Sequence, residues 1–153
     1  MSAATILLVE DNDQDELLIL RSLRKANVAN RIEVARDGQQ ALDYLFCEGE
    51  HAGRTGGLPL VMMLDIGLPR LSGLEVLARV RDDARTHLLP IVILTSSDEE
   101  PDMLKSYQSG ANSFVRKPFD FREFADTVGH LGIYWVATNI APAQPYPPMR
   151  RVP

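Results

Sequence analysis

The chain has 153 residues, of which 45% are hydrophobic and 24% are charged, the balance of one ordinary globular domain with a core. Its formal net charge of −5 excludes a basic surface of the kind that holds nucleic acid. Cys47 is the single cysteine, which excludes an internal disulfide. The first apolar run, Ile6–Val9, is too short for a signal peptide or a membrane span. We therefore expect a cytoplasmic protein that binds neither nucleic acid nor a membrane.

Two strand–helix units are predicted in the first third of the chain. Ile6–Val9 is a continuous apolar run, which is typical of a strand buried on both faces. The helix predicted over Gln14–Lys25 carries four leucines for its apolar face: Leu17, Leu18, Leu20 and Leu23. Arg31–Ala35 is predicted as the second strand and Gln40–Phe46 as the second helix, because Asp37-Gly38 breaks the chain between them.

Three further units complete the alternation. The predicted strands are Leu60–Leu64, Ile91–Leu94 and Ser113–Val115, and the predicted helices are Leu74–Arg81, Pro101–Tyr107 and Phe121–Trp135. The helix after the third strand is expected to bury Leu74, Leu77 and Ala78. Five strand–helix units in succession predict an α/β fold, a parallel sheet with helices on both faces and right-handed crossovers.

Two segments depart from this alternation. Glu48–Gly57 has four glycines among charged residues and is predicted as an extended loop before the third strand. Ala141–Pro153 has five prolines, so we expect it to be extended or disordered rather than helical. The chain is accordingly divided into one domain over residues 1–136 and a Pro-rich C-terminal extension over residues 137–153.

Polar side chains follow four of the predicted strands: Glu10 and Asp11, then Asp65, then Thr95, then Lys117. Ligands of open α/β sheets bind outside the carboxyl ends of the strands, so we expect these side chains to lie close together. Three clustered carboxylates repel one another unless a cation lies between them. Oxygen ligands without histidine or cysteine suit Mg²⁺. The sequence therefore predicts a magnesium site at this edge of the sheet.

The same residue types suit phosphoryl transfer, which requires positioning and charge neutralisation around an in-line nucleophile. A carboxylate can be that nucleophile, and we predict that Asp65 is the phosphoryl acceptor. Lys117 can offset phosphoryl charge, and Thr95 can donate a hydrogen bond. Each residue alone has an ordinary alternative role, as a turn residue, a helix cap or a solvated lysine. The prediction depends on their conjunction at the ends of four strands.

These residues stand in recognisable motifs: Leu7-Leu8-Val9-Glu10-Asp11, Leu64-Asp65-Ile66-Gly67-Leu68-Pro69, Ser72-Gly73-Leu74-Glu75-Val76-Leu77, Ile93-Leu94-Thr95-Ser96 and Phe114-Val115-Arg116-Lys117-Pro118-Phe119. Over about Ile6 to Trp135 the chain resembles the receiver domain of two-component response regulators. The resemblance implies a flavodoxin-like, doubly wound sheet of five parallel strands in the order 2-1-3-4-5 with five helices. It also implies a regulator rather than an enzyme, with only Mg²⁺-dependent self-phosphorylation and self-dephosphorylation chemistry.

The resemblance implies roles at the acceptor and the metal. Asp65 would be phosphorylated by a partner histidine kinase. Asp11 and Asp65 would bind Mg²⁺ directly, together with the backbone carbonyl of Gly67, and Glu10 would act through water. Gly67 has no side chain to shield an acyl phosphate, which leaves the lifetime of the phosphorylated state open.

The resemblance also implies a switch. Thr95 and Lys117 would contact the phosphoryl oxygens, and Phe114 would turn inward when Thr95 moves toward them. A Tyr at position 114 would carry a hydroxyl, whereas Phe114 has none to bond once buried. The Lys117-Pro118 peptide would be cis, an isomer that only proline makes cheap.

The chain looks like the small stand-alone regulators that serve bacterial phytochromes. The likeness rests on the Gly-rich loop before the third strand, the Ser96-Ser97-Asp98 turn and the Tyr134-Trp135 end with its extension. It implies a phytochrome-type histidine kinase as partner. We find no sequence after Trp135 that suits a helix-turn-helix, so output is expected through protein contacts.

The last predicted helix suggests self-association. One stripe follows the 3-and-4 spacing of a buried face: Phe121, Phe124, Val128, Leu131 and Trp135. Other apolar residues fall off that stripe: Ile133, Tyr134, Val136 and Ile140. We predict a symmetric homodimer through the last helix and the tail. The predicted interface residues are Phe121, Phe124, Tyr134, Trp135 and Ile140. The alternative is that the tail folds back over this surface.

The predicted function is a single-domain response regulator that accepts a phosphoryl group on Asp65 and signals by altered protein contacts. Alternatives are an intermediate phosphate shuttle or sink, and a dimerisation module that is not phosphorylated. An aspartate-nucleophile phosphatase would need a second Asp where Gly67 stands. A nucleotide-binding module would need a phosphate-cradling loop after the first strand, where Glu10-Asp11-Asn12-Asp13 would repel phosphate.

Overall fold

A computed structural model of the protein describes residues 4–97 and 99–142. Its strands are β1 (Ile6–Val9), β2 (Ile32–Ala35), β3 (Val61–Leu64), β4 (Ile91–Thr95) and β5 (Ser113–Arg116). Its α-helices are α1 (Asp13–Lys25), α2 (Gly38–Phe46), α3 (Gly73–Asp82), α4 (Glu100–Gln108) and α5 (Phe121–Ile133). All strand pairs are parallel, in the order β2-β1-β3-β4-β5. The predicted flavodoxin-like α/β fold and its strand order are confirmed.

The sheet is buried on both faces at its centre, where every residue of β1, β3 and β4 is buried and all but the terminal Thr95 are apolar. Side chains alternate between two cores, as the period of two in a strand requires. In β1, Leu7 and Val9 pack on the side of α2 and α3, and Ile6 and Leu8 pack on the side of α1 and α5. Three strand ends are thereby held in fixed positions between two helical layers.

Four of the helices begin with a capping side chain, and these caps lie in the loops that follow strands. The caps are Asn12, Asp37, Ser72 and Asp120, and each accepts a hydrogen bond from a backbone N–H of the first turn. Such a cap contributes about 1 kcal/mol to stability. The caps set where each helix begins, and therefore how far each loop projects beyond the carboxyl end of its strand.

The faces that two helices turn to the core differ from the prediction. Helix α3 buries Val76, Leu77 and Val80, whereas Ala78 is exposed. In α1 the fully buried side chains are Ile19 and Leu23. Half of the Leu17 side chain remains exposed, at 50%. Both helices carry apolar residues around more than half of their circumference, so spacing alone permits two faces, and packing against the sheet selects one.

The C-terminal part of the fold corrects part of the predicted dimer interface. Helix α5 ends at Ile133, and the chain continues in a π-helical turn over Tyr134–Thr138. Phe124 and Trp135 are 4% and 7% exposed and belong to the core between α5, α1 and the sheet. Their assignment to an intermolecular interface is therefore wrong, because each already fills space within one chain.

Other predicted interface residues are exposed in the single chain. Phe121, Tyr134 and Ile140 are 76%, 48% and 93% exposed. Phe121 was also expected on the buried stripe of the last helix, and its position in the first turn of α5 places it beyond the core instead. The division between residues 1–136 and 137–153 stays a prediction, and the predicted conformation of the tail lies mainly outside the described residues.

The loop over Glu48–Gly57 is more ordered than predicted. It contains a 3₁₀ turn at Gly49–His51. The guanidinium of Arg54 donates to the backbone carbonyls of Tyr44, Gly56 and Gly57 and lies 4.0 Å from the centre of the Tyr44 ring.

Between residues 4 and 142, leaving residue 98 aside, no helix has the length and hydropathy needed to cross a bilayer.

Candidate functional site

The predicted polar residues meet in one cleft at the carboxyl ends of the strands. The cleft has a volume of about 700 Å³, and its lining includes Glu10, Asp11, Asp65, Thr95 and Lys117. Parallel pairing brings the ends together: the backbone N–H of Lys117 donates to the Thr95 carbonyl at 2.7 Å, and that of Asp65 donates to Val9 at 3.1 Å. The convergence expected from the sequence is therefore present.

The carboxylate of Asp65 is held by donors on both oxygens and is 8% exposed. Its Oδ1 accepts from the Thr95 hydroxyl and from the backbone N–H of Gly67, each at 3.0 Å. Its Oδ2 accepts from Nζ of Lys117 at 2.9 Å. Asp65 is thus oriented at the floor of the cleft, with its oxygens next to both residues predicted to contact a phosphoryl group.

Lys117 is bonded to three carboxylates although it is 6% exposed. Its Nζ donates to Glu10, to Asp15 at 2.9 Å and to Asp65 at 2.9 Å. Burial alone would lower the pKa of Lys117, but the attraction of Asp65 and the hydrogen bonds to all three carboxylates outweigh it, so the pKa lies above its ordinary value. The ammonium therefore stays charged across the physiological range.

Asp15 was not among the predicted site residues. It is acidic in the first turn of α1, where a carboxylate ordinarily stabilises the helix N-terminus, and that role gives no reason to place it at the site. Residue spacing gives no signal for it either, because Asp11 precedes the Asn12 cap and lies outside the helix.

Three carboxylates lie close enough to hold one cation. Oxygens of Glu10, Asp11 and Asp65 lie within 4.8 Å of one another. Burial raises the pKa of Glu10 from 4.5 to about 7, with Asp65 adding to the rise and Lys117 opposing it. The donor set is all oxygen and partly open to solvent at Asp11, which fits Mg²⁺ and similar hard cations.

The remaining predicted positions differ in outcome. Thr95 is 2% exposed, and its Oγ1 also accepts from the backbone N–H of Ser97 at 3.3 Å. Phe114 is half-buried against the core, and its role as a switch stays a prediction.

No cis peptide bond occurs among the described residues, so the Lys117-Pro118 peptide is trans and the predicted cis isomer is wrong. Trans is the lower-energy isomer before proline, and Lys117 reaches its three carboxylates in it.

The N-terminus of α3 packs directly against the loop that carries Asp65. The backbone N–H of Gly73 donates to the Ile66 carbonyl at 3.0 Å. A Cβ atom at position 73 would lie 2.1 Å from the backbone oxygen of Asp65, so a side chain does not fit there. Gly67 lies exposed on the rim of the cleft, and the predicted use of its carbonyl as a metal ligand remains untested.

The chain matches known proteins over most of its length. Residues 6–129 match the family model of the response regulator receiver domain. The probable methanogenesis regulatory protein FilR2 of Methanothrix harundinacea is 38% identical over 137 residues, which cover 90% of this chain and 86% of FilR2. Response regulator Rcp1 of Synechocystis sp. is 30% identical over 90% of this chain and 92% of Rcp1.

Solved structures give the same result. The crystal structure of the Mn²⁺-bound form of Rcp1 matches with a TM-score of 0.85 and 30% identity, covering 92% of this chain and 99% of that one. The structure of the bacteriophytochrome response regulator AtBRR matches with a TM-score of 0.75 and 43% identity, covering 94% and 99%. With its receiver fold and its acidic cleft, the chain belongs to the response regulator receiver domain family, the phosphorylation-dependent signalling domains of two-component systems.

Proposed function

We propose that this protein is a single-domain response regulator whose Asp65 accepts a phosphoryl group from a histidine kinase. The observation that carries the proposal is the bonding of Asp65: Thr95 and Gly67 hold one oxygen, and Lys117 holds the other. A carboxylate of an ordinary turn would not have a buried ammonium and a buried hydroxyl directed at it. Output then takes place through protein contacts that change with phosphorylation.

The proposed step is transfer from a phosphohistidine. An oxygen of the Asp65 carboxylate attacks phosphorus, the P–N bond breaks, and the imidazole leaves with the electron pair of that bond. The product is an acyl phosphate on Asp65. Lys117 and Thr95 would pair with phosphoryl oxygens once these replace their present contacts with the free carboxylate.

A divalent cation fits the same site, and we propose Mg²⁺ held by Asp11 and Asp65, with Glu10 acting through water and the Gly67 carbonyl completing the set. When bound, it supplies charge neutralisation for the phosphoryl oxygens. Glu10 and Lys117 lie on the buried side of the cluster. Its open side, at Asp11, faces the solvent from which a partner would approach.

The experiment is labelling by acetyl phosphate in the presence of Mg²⁺. Asp65→Asn should abolish the mass increase of one phosphoryl group, because the amide is not a nucleophile for this step. Asp13→Asn is the matched control, since it removes an exposed carboxylate from the first turn of α1, at the edge of the same cleft. Undiminished labelling of Asp65→Asn would refute the assignment, and a wild type unresponsive to beryllofluoride with Mg²⁺ would favour a dimerisation module that is not phosphorylated.

A phytochrome-type histidine kinase is the partner we propose. Support comes from the likeness to AtBRR, which is a bacteriophytochrome response regulator, whereas FilR2 carries no such association in its name. Phosphotransfer from a panel of purified histidine kinases tests this directly. The expected result is faster transfer from a phytochrome-type kinase than from the others. Transfer onward from Asp65 to a second protein would favour the shuttle or sink alternative.

We also propose a homodimer through the exposed apolar side chains of α5 and the segment after it. Phe121, Tyr134 and Ile140 support it because each leaves a large apolar surface in water. Sedimentation of Ile140→Asp against wild type tests the proposal. Leu104→Asp is the control, because Leu104 is also exposed, at 56%, but lies on α4 instead. A wild type that stays monomeric at high concentration would refute it.

A further inference from the structure

Three carboxylates accept hydrogen bonds from Lys117, and they differ in one respect. Glu10 and Asp65 also belong to the cluster whose oxygens could hold one cation, together with Asp11. Asp15 does not belong to that cluster, although its Oδ2 lies 2.9 Å from Nζ of Lys117. Among the described residues, Asp15 is thus the one carboxylate that accepts from Lys117 and lies outside the cation cluster.

Local structure explains why the Asp15 side chain is available. Asn12 caps α1 and accepts from the backbone N–H of Asp15 at 2.9 Å, which places Asp15 at the third helical position. An acidic residue at that position commonly reaches back to the backbone N–H of the cap. Here Glu10 accepts from that N–H, at 3.2 Å. The Asp15 carboxylate is therefore not needed for capping and instead accepts a hydrogen bond from Lys117.

The hydrogen-bond donors of Lys117 are fully used. A lysine ammonium has three N–H donors, and those of Lys117 are donated to Glu10, Asp15 and Asp65. A cation bound to the cluster would attract oxygens of Glu10 and Asp65 and would repel the ammonium of Lys117. Asp15 is then the carboxylate that stays available to Lys117, from the helix that begins beside the cluster.

We propose that Asp15 is a positioning residue, which keeps Lys117 beside Asp65 when a divalent cation occupies the carboxylate cluster and so presents the ammonium to the phosphoryl group. This inference rests on the proposed function of Asp65. Asp15 acts through Lys117 and does not itself contact the phosphoryl group. Without it, the ammonium can remain in the site only by competing with the cation for Glu10 and Asp65.

The test measures Mg²⁺ affinity by calorimetry on the full chain. Asp15→Asn should weaken Mg²⁺ binding about ten-fold, the scale typical of removing a partner that supports metal ligands. Asp13→Asn is the matched control, and it should change the affinity by less than about two-fold, since an exposed carboxylate interacts weakly. Asp15→Glu should restore most of the affinity. Beryllofluoride binding at saturating Mg²⁺ should weaken in the same order of variants.

A double-mutant cycle separates positioning from simple charge. In a Lys117→Met background, Asp15→Asn should have no further effect on Mg²⁺ affinity, because the residue through which it acts is gone. Equal effects of Asp15→Asn and Asp13→Asn, or a full effect of Asp15→Asn without Lys117, would overturn the inference. If the wild type binds neither Mg²⁺ nor beryllofluoride, the proposed function of the site fails, which is a different result from loss of the Asp15 effect alone.

Discussion

An alanine at Gly73 is expected to disturb the loop that carries Asp65. The added Cβ atom would lie 2.1 Å from the backbone oxygen of Asp65 and 2.8 Å from Cα of Ile66. A carbon–oxygen contact needs about 3.3 Å, so the start of α3 or the loop must move by roughly 1 Å. Because the atoms it would meet belong to the backbone, no side-chain rotation relieves the contact.

The magnitude follows from two opposing effects. Forcing an extra carbon into a packed site costs about 1–3 kcal/mol. Replacing glycine by alanine in a helix returns at most about 1 kcal/mol. Gly73→Ala should therefore lower the free energy of unfolding by about 1–2 kcal/mol, measured by urea titration. Labelling by acetyl phosphate should slow by up to about 100-fold, because a reactive group displaced by about 1 Å loses its alignment.

Gly67→Ala is the matched control for stability. Its Cβ atom would lie 3.9 Å from Oδ1 of Asp65, an ordinary van der Waals contact. We expect its stability to stay within about 0.5 kcal/mol of the wild type. If Gly73→Ala unfolds at the wild-type urea concentration and is labelled at the wild-type rate, α3 does not restrain the acceptor loop, and the reasoning from the close contact fails.

Three further predictions concern charge, packing and helix propensity. The pKa of Glu10 is raised to about 7 in the folded protein, so metal-free wild type should lose up to about 3 kcal/mol of unfolding free energy as pH rises from 4.5 through 7. Glu10→Gln should flatten that profile, and an unchanged slope in urea titrations across this range would contradict it. Phe124→Ala should cost about 3–5 kcal/mol by emptying a core position, whereas Phe121→Ala, at an exposed position, should change stability by less than about 0.5 kcal/mol. Equal urea midpoints for these two variants would refute the core assignment. Gly129→Ala should raise the thermal midpoint through a gain of up to about 1 kcal/mol, since its Cβ atom would meet only Ala26, at 3.4 Å, and a lowered midpoint would show that α1 cannot accommodate it.

Much of the fold and of the site was predictable because local patterns decide it. Continuous apolar runs such as Ile6–Val9 mark central strands, and alternation with helices requires parallel pairing. In a parallel sheet all carboxyl ends lie at one edge. Once Asp65 and Lys117 are recognised as residues that follow strands, their convergence follows without any knowledge of side-chain packing.

The errors and omissions have a different origin. Whether Phe124 or Phe121 is buried depends on where α5 meets α1, and whether α3 turns Val76 or Ala78 to the sheet depends on its rotation. Each helix offers more than one apolar face, and only packing selects among them.

The sequence by itself determined the strands, their parallel arrangement and the acidic edge with one lysine, because these follow from residue type and local spacing. Only the tertiary structure decided that Asp15 reaches Lys117, a contact between residues 102 positions apart. That contact requires the first turn of α1 and the residue that follows β5 to meet at the carboxyl edge of the sheet, although β3 and β4 separate β1 from β5. No property of either residue encodes it, since the distance between their side chains is set by the packing of every element between them.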